Sequence, residues 1–128
     1  MIYGAHLVLY SRNAEADRKF LRDVLQFPAV DAGHGWLIFG LPPAEAAVHP
    51  QEGGAPAAAG EAPILRADFY LMCEDLAACV KSLEEKHVKC APVQRERWGM
   101  RTSISLPSGG SIGLYQPAHP TALGRQPA

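Results

Sequence analysis

The chain has few cysteines, and their spacing does not identify a class of protein. Its 128 residues include three, Cys73, Cys79 and Cys90, an odd number with no CxxC spacing. The N-terminal stretch "MIYGAHLVLY" also lacks the basic region and the cleavage signal of an exported protein. These absences together predict free thiols in a reducing cytoplasm.

The chain also lacks an excess of either charge and a long apolar run. Twelve basic residues face thirteen acidic ones, and no basic stripe alternates with aromatic residues, which argues against a nucleic-acid partner. No apolar run approaches the roughly 20 residues that are needed to cross a bilayer, so no membrane association is expected. A chain of this length is long enough for one domain with a real core.

The first half contains the patterns of strands and one helix. Apolar residues alternate with period two from Ala5 to Tyr10, which predicts a strand, and the spacing then becomes helical, with Asn13 as the predicted N-cap. Two further strands are predicted over Gly35 to Leu41 and over Glu45 to Pro50, with room for a short extra strand near "AVDA". The first half is therefore predicted to be β-α-β-β, or β-α-β-β-β with the extra strand.

The same order returns after a breaker-rich stretch, residues 51–63, which predicts a linker. A strand is predicted from Ala67 to Cys73, followed by an Asp75 cap and a helix. Three strands in "KCAPV", "GMRTSISL" and "SIGLYQP" follow, the last two joined by a hairpin turn in "PSGG". We therefore predict a single α+β domain of tandem βαβββ modules, about 1–50 and 64–117, with a loose tail over 118–128.

Superposing the two halves predicts which side chains meet. His6 then corresponds to Asp68, and Ala46 corresponds to Gly113. Because residues two apart in a strand share a face, apolar residues point to the covering helices, namely Leu7, Leu9, Phe69, Leu71, Ile112 and Leu114. The opposite, concave face is then lined by His6, Val8, Tyr10, Asp68, Tyr70, Met72, Gly113 and Tyr115. Such a lining is typical of a small-molecule pocket.

Three segments carry a resemblance to a known superfamily. They are "AHLVLYSRNAEADRKFLRDVLQFP", "LMCEDLAACVKSLEEKHV" and "IGLYQP". In them the chain resembles the vicinal oxygen chelate superfamily, which includes glyoxalase I, extradiol dioxygenases and bleomycin-binding proteins. The resemblance implies a cup-shaped mixed β-sheet covered by helices and a homodimer, and it leaves the activity open because one fold hosts many chemistries.

The resemblance also implies four metal-ligand positions, one on each first strand and one on each last strand. In this sequence they hold His6, Ala46, Asp68 and Gly113, of which Ala46 and Gly113 have no donor atom. The full metal site is thus predicted to be lost or rebuilt. A bulge that turned Glu45 and His49 toward the cup would rebuild it.

The sequence leaves three functions open. The first is a divalent-metal-dependent lyase or dioxygenase that holds Zn, Mn, Ni or Fe through His6 and Asp68 with His49 or Glu45. The second is a metal-free protein that sequesters a drug or metabolite, and the third is metal-free catalysis with His6 as the base, oriented by Asp68. His6 and Asp68 also form a plain hydrogen-bonded pair in the simplest interpretation. The predicted ligand-contacting residues are Tyr10, Tyr70, Met72, Trp98, Arg101 and Tyr115. We expect a small-molecule-binding member with a degenerate metal site.

Overall fold

The computed structural model describes residues 1–50, 62 and 64–127. The predicted linker 51–63 therefore lies almost wholly outside the described residues. The elements are α1 (Ala14–Asp23), β1 (Ala29–Asp31), β2 (Leu37–Phe39), β3 (Tyr70–Met72), α2 (Leu76–Glu85), β4 (Gln94–Glu96), β5 (Gly99–Ser105) and β6 (Ser111–Pro117). In the described ranges this is a mixed α+β architecture with a two-stranded and a four-stranded sheet, which confirms the predicted fold class.

The second half has the predicted β-α-β-β-β order. Its strands lie in the order β3-β6-β5-β4, with β3 parallel to β6 and the other pairs antiparallel. Helix α2 crosses over from β3 and begins at the predicted cap, where the Asp75 side chain accepts a hydrogen bond from Ala78 N. The Gln116 side chain accepts from Leu76 N, which ties the first turn of the helix to β6.

The hairpin between β5 and β6 confirms the predicted turn. Its pairs run from Ser105↔Ser111 at the turn to Gly99↔Pro117 at the far end. Gly109 has φ +94°, a conformation that glycine adopts at no steric cost, and this lets Leu106 N donate to Gly110 O. The hairpin fixes which residues of β6 face the helices.

The core lies between the helices and one face of the four-stranded sheet. Its buried side chains are Phe20, Leu76, Val88, Ile104, Ile112 and Leu114, with Phe69 and Leu71 packed against them. The prediction that Ile112, Leu114, Phe69 and Leu71 face the helices is therefore confirmed. Full burial of each such aliphatic or aromatic side chain stabilises the fold by about 1.5–3 kcal/mol.

A buried carboxylate joins the first half to the second. Asp17 of α1 accepts hydrogen bonds from Ser11 Oγ at 2.7 Å, from Ser108 N at 3.0 Å and from Ser108 Oγ at 2.6 Å. Burial by itself would raise the pKa of Asp17, but the hydrogen bonds from Ser108 and Ser11 outweigh it and lower that pKa. Asp17 thus fixes α1 to the β5–β6 turn in its ionised form.

The two outer strands predicted for the first half are not formed, so this prediction was wrong. Residues 5–10 and 45–50 have no ladder partner within the described residues and are largely exposed. Leu7 and Leu9 lie in solvent because α1 packs its apolar stripe, including Phe20 and Leu21, on the core of the four-stranded sheet. The helix therefore does not cover the segment that precedes it.

The remaining predicted elements agree with the structure in part. The extra strand near "AVDA" is β1, and Asn13 caps α1 as predicted, with its side chain accepting from Ala16 N. The strand predicted in "KCAPV" is reduced to a single bridge, Cys90↔Ile104, and β4 begins only at Gln94. Across the described ranges, neither helix has the length and apolar character of a membrane span.

Candidate ligand-binding site

The face of the four-stranded sheet that lies opposite the core carries the candidate site. The strand register places Tyr70 beside Gly113, and Met72 beside Tyr115. Arg101 of β5 lies on the other side of Tyr115. Because Ile112 and Leu114 are buried in the core, the alternate residues Gly113 and Tyr115 face away from it, as the sequence predicts.

Three rings on this face form what we call the aromatic cluster: Tyr70, Trp98 and Tyr115. Their centroids are 6.2 Å apart for Tyr70 and Trp98, 5.7 Å for Tyr70 and Tyr115, and 5.2 Å for Trp98 and Tyr115. All three pairs are close to perpendicular, an arrangement that is favourable for aromatic rings. Tyr70 and Trp98 are each 38% exposed, so the cluster is in contact with solvent and open to a ligand.

The Tyr70 ring lies directly over Gly113. A Cβ atom built on Gly113 would overlap that ring, coming within 2.8 Å of Tyr70 Cγ. Real Cβ atoms do not approach other atoms so closely, so only glycine fits beneath the ring. Packing thus explains why position 113 is a glycine: the missing side chain makes room for the Tyr70 ring at a position where the resemblance implies a metal ligand.

Arg101, predicted to bind an anionic ligand, is held within its own sheet. Its Nε donates to Glu96 Oε1 at 3.1 Å, and its terminal nitrogen donates to Gln94 Oε1 at 2.6 Å. Two of its donors are therefore already used by β4. Met72 is half-buried beside Tyr115, whereas Tyr10 is 96% exposed and makes no ring contact with the described aromatic residues.

The structure does not bring His6 and Asp68 together. His6 lies in the exposed segment 5–10, and no hydrogen bond joins these two described residues. The Asp68 side chain is 67% exposed, and its oxygen lies 3.9 Å from a nitrogen of Arg66. The imidazole of His6 is thus not oriented by a carboxylate in the isolated chain.

The two residues that would rebuild a metal site have other contacts. His49 is exposed, with Nδ1 2.7 Å from Pro50 O, and Glu45 Oε1 accepts from Ala122 N at 2.9 Å. Within residues 1–50, 62 and 64–127, no three His, Cys, Asp or Glu side chains are grouped so that they could hold a metal ion. With the Tyr70 ring over Gly113, the residues present do not fit the family's four-position metal site.

The segment after β6 lies next to the aromatic cluster. Ala118 N donates to Trp98 O at 2.8 Å, and the His119 ring is 6.2 Å from Tyr115 with a tilt of 32°. Burial raises the pKa of Tyr115, and the negative charge of Glu45 raises it further. These neighbours could not be predicted, because the tail "AHPTALGRQPA" has no periodic pattern.

The aromatic cluster is an open surface. Two depressions of about 360 and 320 Å³ lie elsewhere in the described part of the chain, one at Val30 and Ile38 and the other beside Gly99 and Pro117. The second adjoins the cluster without including its rings. Small-molecule sites are lined mainly by apolar and aromatic side chains with a few polar groups, and the aromatic cluster has this composition.

Comparison with known families agrees with this class. The family model of the Glyoxalase/Bleomycin resistance protein/Dioxygenase superfamily matches residues 5–114. The chain belongs to this superfamily. No curated protein sequence matches the chain.

Solved structures show the same fold. The chain is similar to TnmS3, an antibiotic-binding protein from Streptomyces sp. CB03234, with 20% identity, 91% of this chain and 99% of that chain covered, and a TM-score of 0.56. It is also similar to a lactoylglutathione lyase from Agrobacterium tumefaciens, with 17% identity, 89% and 92% covered, and a TM-score of 0.60. At these identities the likeness concerns the fold alone.

Proposed function

We propose that this protein binds a planar small molecule on the aromatic cluster and uses no metal ion at the family's four strand positions. One observation carries the proposal: the Tyr70 ring lies over Gly113, at the position of a last-strand ligand. A tyrosine face replaces a donor atom there. The role of the position has then changed from holding an ion to forming part of an aromatic surface.

The geometry of the cluster supports stacking. Rings that meet edge to face leave part of each π face uncovered, and Tyr70 and Trp98 are both partly exposed. Stacking on one aromatic side chain contributes about 1–3 kcal/mol to the binding of a planar ring. Membership of a superfamily that includes small-molecule binders, and the likeness to an antibiotic-binding protein, support the same function.

Tryptophan fluorescence tests this proposal directly. The chain has two tryptophans, and Trp36 lies away from the cluster, with the Arg18 guanidinium 4.7 Å from its ring centre. The variant Trp36→Phe therefore leaves Trp98 as the only tryptophan reporter. Titration with a panel of planar aromatic compounds should give saturable quenching, and Tyr115→Leu should weaken the affinity about tenfold by removing one stacking partner.

A matched control is available in Tyr3, whose side chain is fully exposed in the N-terminal segment. Tyr3→Leu should leave the affinity unchanged. Absence of quenching by every compound, or an equal loss in Tyr3→Leu and Tyr115→Leu, would reject the proposed site. A rise in the melting temperature with Zn, Mn, Ni or Fe that is lost in His6→Ala would reject the metal-free part, because a ligand that binds only the folded state stabilises it.

We also propose that the protein is a cytoplasmic homodimer. The segment 5–10 exposes Leu7, Val8 and Leu9 and has no ladder partner in the described chain, and an unpaired apolar segment of this kind is a site for pairing with another chain. The three cysteines are free thiols, as expected in a reducing compartment. Sedimentation that gives only a monomer at micromolar concentration would reject the dimer.

A further inference from the structure

Resting on the proposed function, we propose that Glu45 makes the aromatic cluster selective for planar ligands that carry a positive charge. Glu45 comes from the first half of the chain, whereas the three rings come from the second. The inference therefore concerns a group that the strand patterns do not connect with the cluster.

The contacts of the last residues bring Glu45 to the cluster. Its Oε1 accepts from Ala122 N at 2.9 Å, and three residues earlier the His119 ring lies 6.2 Å from Tyr115. Glu45 is half-buried, unlike the exposed residues on either side of it. The upward shift of the Tyr115 pKa, caused first by burial and then by Glu45, agrees with this proximity.

Two arginines of the second half already have acidic partners. Arg101 is paired with Glu96 at 3.1 Å, and Arg125 is paired with Glu74. In the described part of the chain, Glu45 instead accepts from a backbone amide, which stabilises the carboxylate without neutralising its charge. Glu45 therefore keeps its negative charge.

A carboxylate next to exposed aromatic faces suits one chemical class. A cation over the face of a tryptophan or tyrosine is attracted by the ring quadrupole, and a nearby carboxylate adds a Coulomb attraction. A protonated amine on a fused-ring system uses both interactions at once. An anionic ring of the same shape would stack equally well but would be repelled by Glu45.

Two probes of the same shape separate charge from stacking: 9-aminoacridine, which is cationic at neutral pH, and 9-anthracenecarboxylate, which is anionic. Dissociation constants are measured by Trp98 quenching in the Trp36→Phe background. We expect the cation to bind about fivefold more tightly or better, and Glu45→Gln to remove that preference, because Gln keeps the acceptor for Ala122 N and loses only the charge. Glu74→Gln, at a carboxylate paired with Arg125, is the matched control and should keep the preference.

A salt titration of the protein with Glu45 intact gives a second measurement that needs no variant at this position. The preference should shrink as salt rises from about 0.05 M to about 0.5 M, because the Debye length falls. Equal affinity for the two probes, or a preference that survives in Glu45→Gln, would overturn the role of Glu45 and leave the aromatic site standing. Failure of both probes to bind would overturn the aromatic site and this inference together.

Discussion

Replacing Gly113 with alanine tests whether the Tyr70 ring truly occupies the space above that position. Gly113 has no positive φ, so the backbone accepts alanine, and the three atoms nearest to the new Cβ all belong to the Tyr70 ring, which it would overlap. Because one of the overlapping atoms is Cγ, at the base of the ring, Tyr70 must rotate about χ1 to relieve it. That rotation breaks its ring contacts with Trp98 and Tyr115.

The expected cost follows from those contacts. An aromatic pair contributes about 0.5–1.5 kcal/mol beyond its buried area, so losing two pairs destabilises the fold by about 1–3 kcal/mol. This matches the usual cost of overpacking. For a chain of this length, the melting temperature should fall by about 4–11 °C. Urea unfolding followed by circular dichroism measures the change in the free energy of unfolding.

A second variant, Gly113→Ala in a Tyr70→Ala background, sharpens the test because the effect of the alanine on stability should change sign. In a Tyr70→Ala background the ring atoms that overlap the new methyl group are absent, and Gly113→Ala should then stabilise by about 0.4–1 kcal/mol by restricting the unfolded chain. Gly110→Ala is the control, since its Cβ would meet only Ser108 Oγ at 3.4 Å, close to ordinary contact. An equal cost of Gly113→Ala with and without Tyr70 would refute the overlap and remove the main support for the proposed function.

Two further changes test the junction and the thiols. Asp17→Asn should lower the free energy of unfolding by about 2 kcal/mol, because hydrogen bonds from Ser11 and Ser108 to an ionised, buried group are weakened. The control Glu15→Gln, on the exposed face of α1, should change the free energy of unfolding little. Since the folded pKa of Asp17 lies below its ordinary value of 3.8, its contribution is fully present above that pH and is lost as the pH falls through the folded pKa. Urea unfolding between about pH 2 and pH 6 should thus give a flatter profile for Asp17→Asn, and parallel profiles would contradict this account. Burial, and then the neighbouring Cys79, raise the pKa of Cys73 to about 12. Iodoacetamide at about pH 8 should therefore alkylate Cys73 at least about a hundredfold more slowly in the folded than in the unfolded protein. Peptide mass spectrometry measures the two rates, and comparable rates would show that the thiol is not protected.

Most of the second half could be predicted from the sequence, because its signals are local; the exception is β4, which lies at Gln94–Glu96 and not in "KCAPV". The alternation in "SIGLYQP", the glycines of "PSGG" and the Asp75 cap each determine structure within a few residues. The first half could be predicted only in part. Strand periodicity in residues 5–10 and 45–50 indicates which faces would be apolar, but a strand also requires a partner, and pairing is a property of the whole assembly.

The candidate site divides in the same way. The alternation of residues along the strands indicated that Gly113, Tyr115, Tyr70 and Met72 share a face, and the structure agrees. Two relations could not be predicted from strand patterns. The overlap of the Tyr70 ring with the space above Gly113 depends on a side-chain rotamer, and the approach of Glu45 depends on an aperiodic tail. His6 and Asp68 were paired by symmetry between the halves, a relation that does not include the competing partner Arg66.

The position of Phe20 has a consequence for how the two repeats depend on each other. This residue of the first half belongs to the hydrophobic core under the four-stranded sheet of the second half, together with Ile104 and Ile112. A polypeptide cut within 51–63 would leave the C-terminal piece with an apolar hole at that place. The second half therefore needs helix α1 of the first half to complete its hydrophobic core.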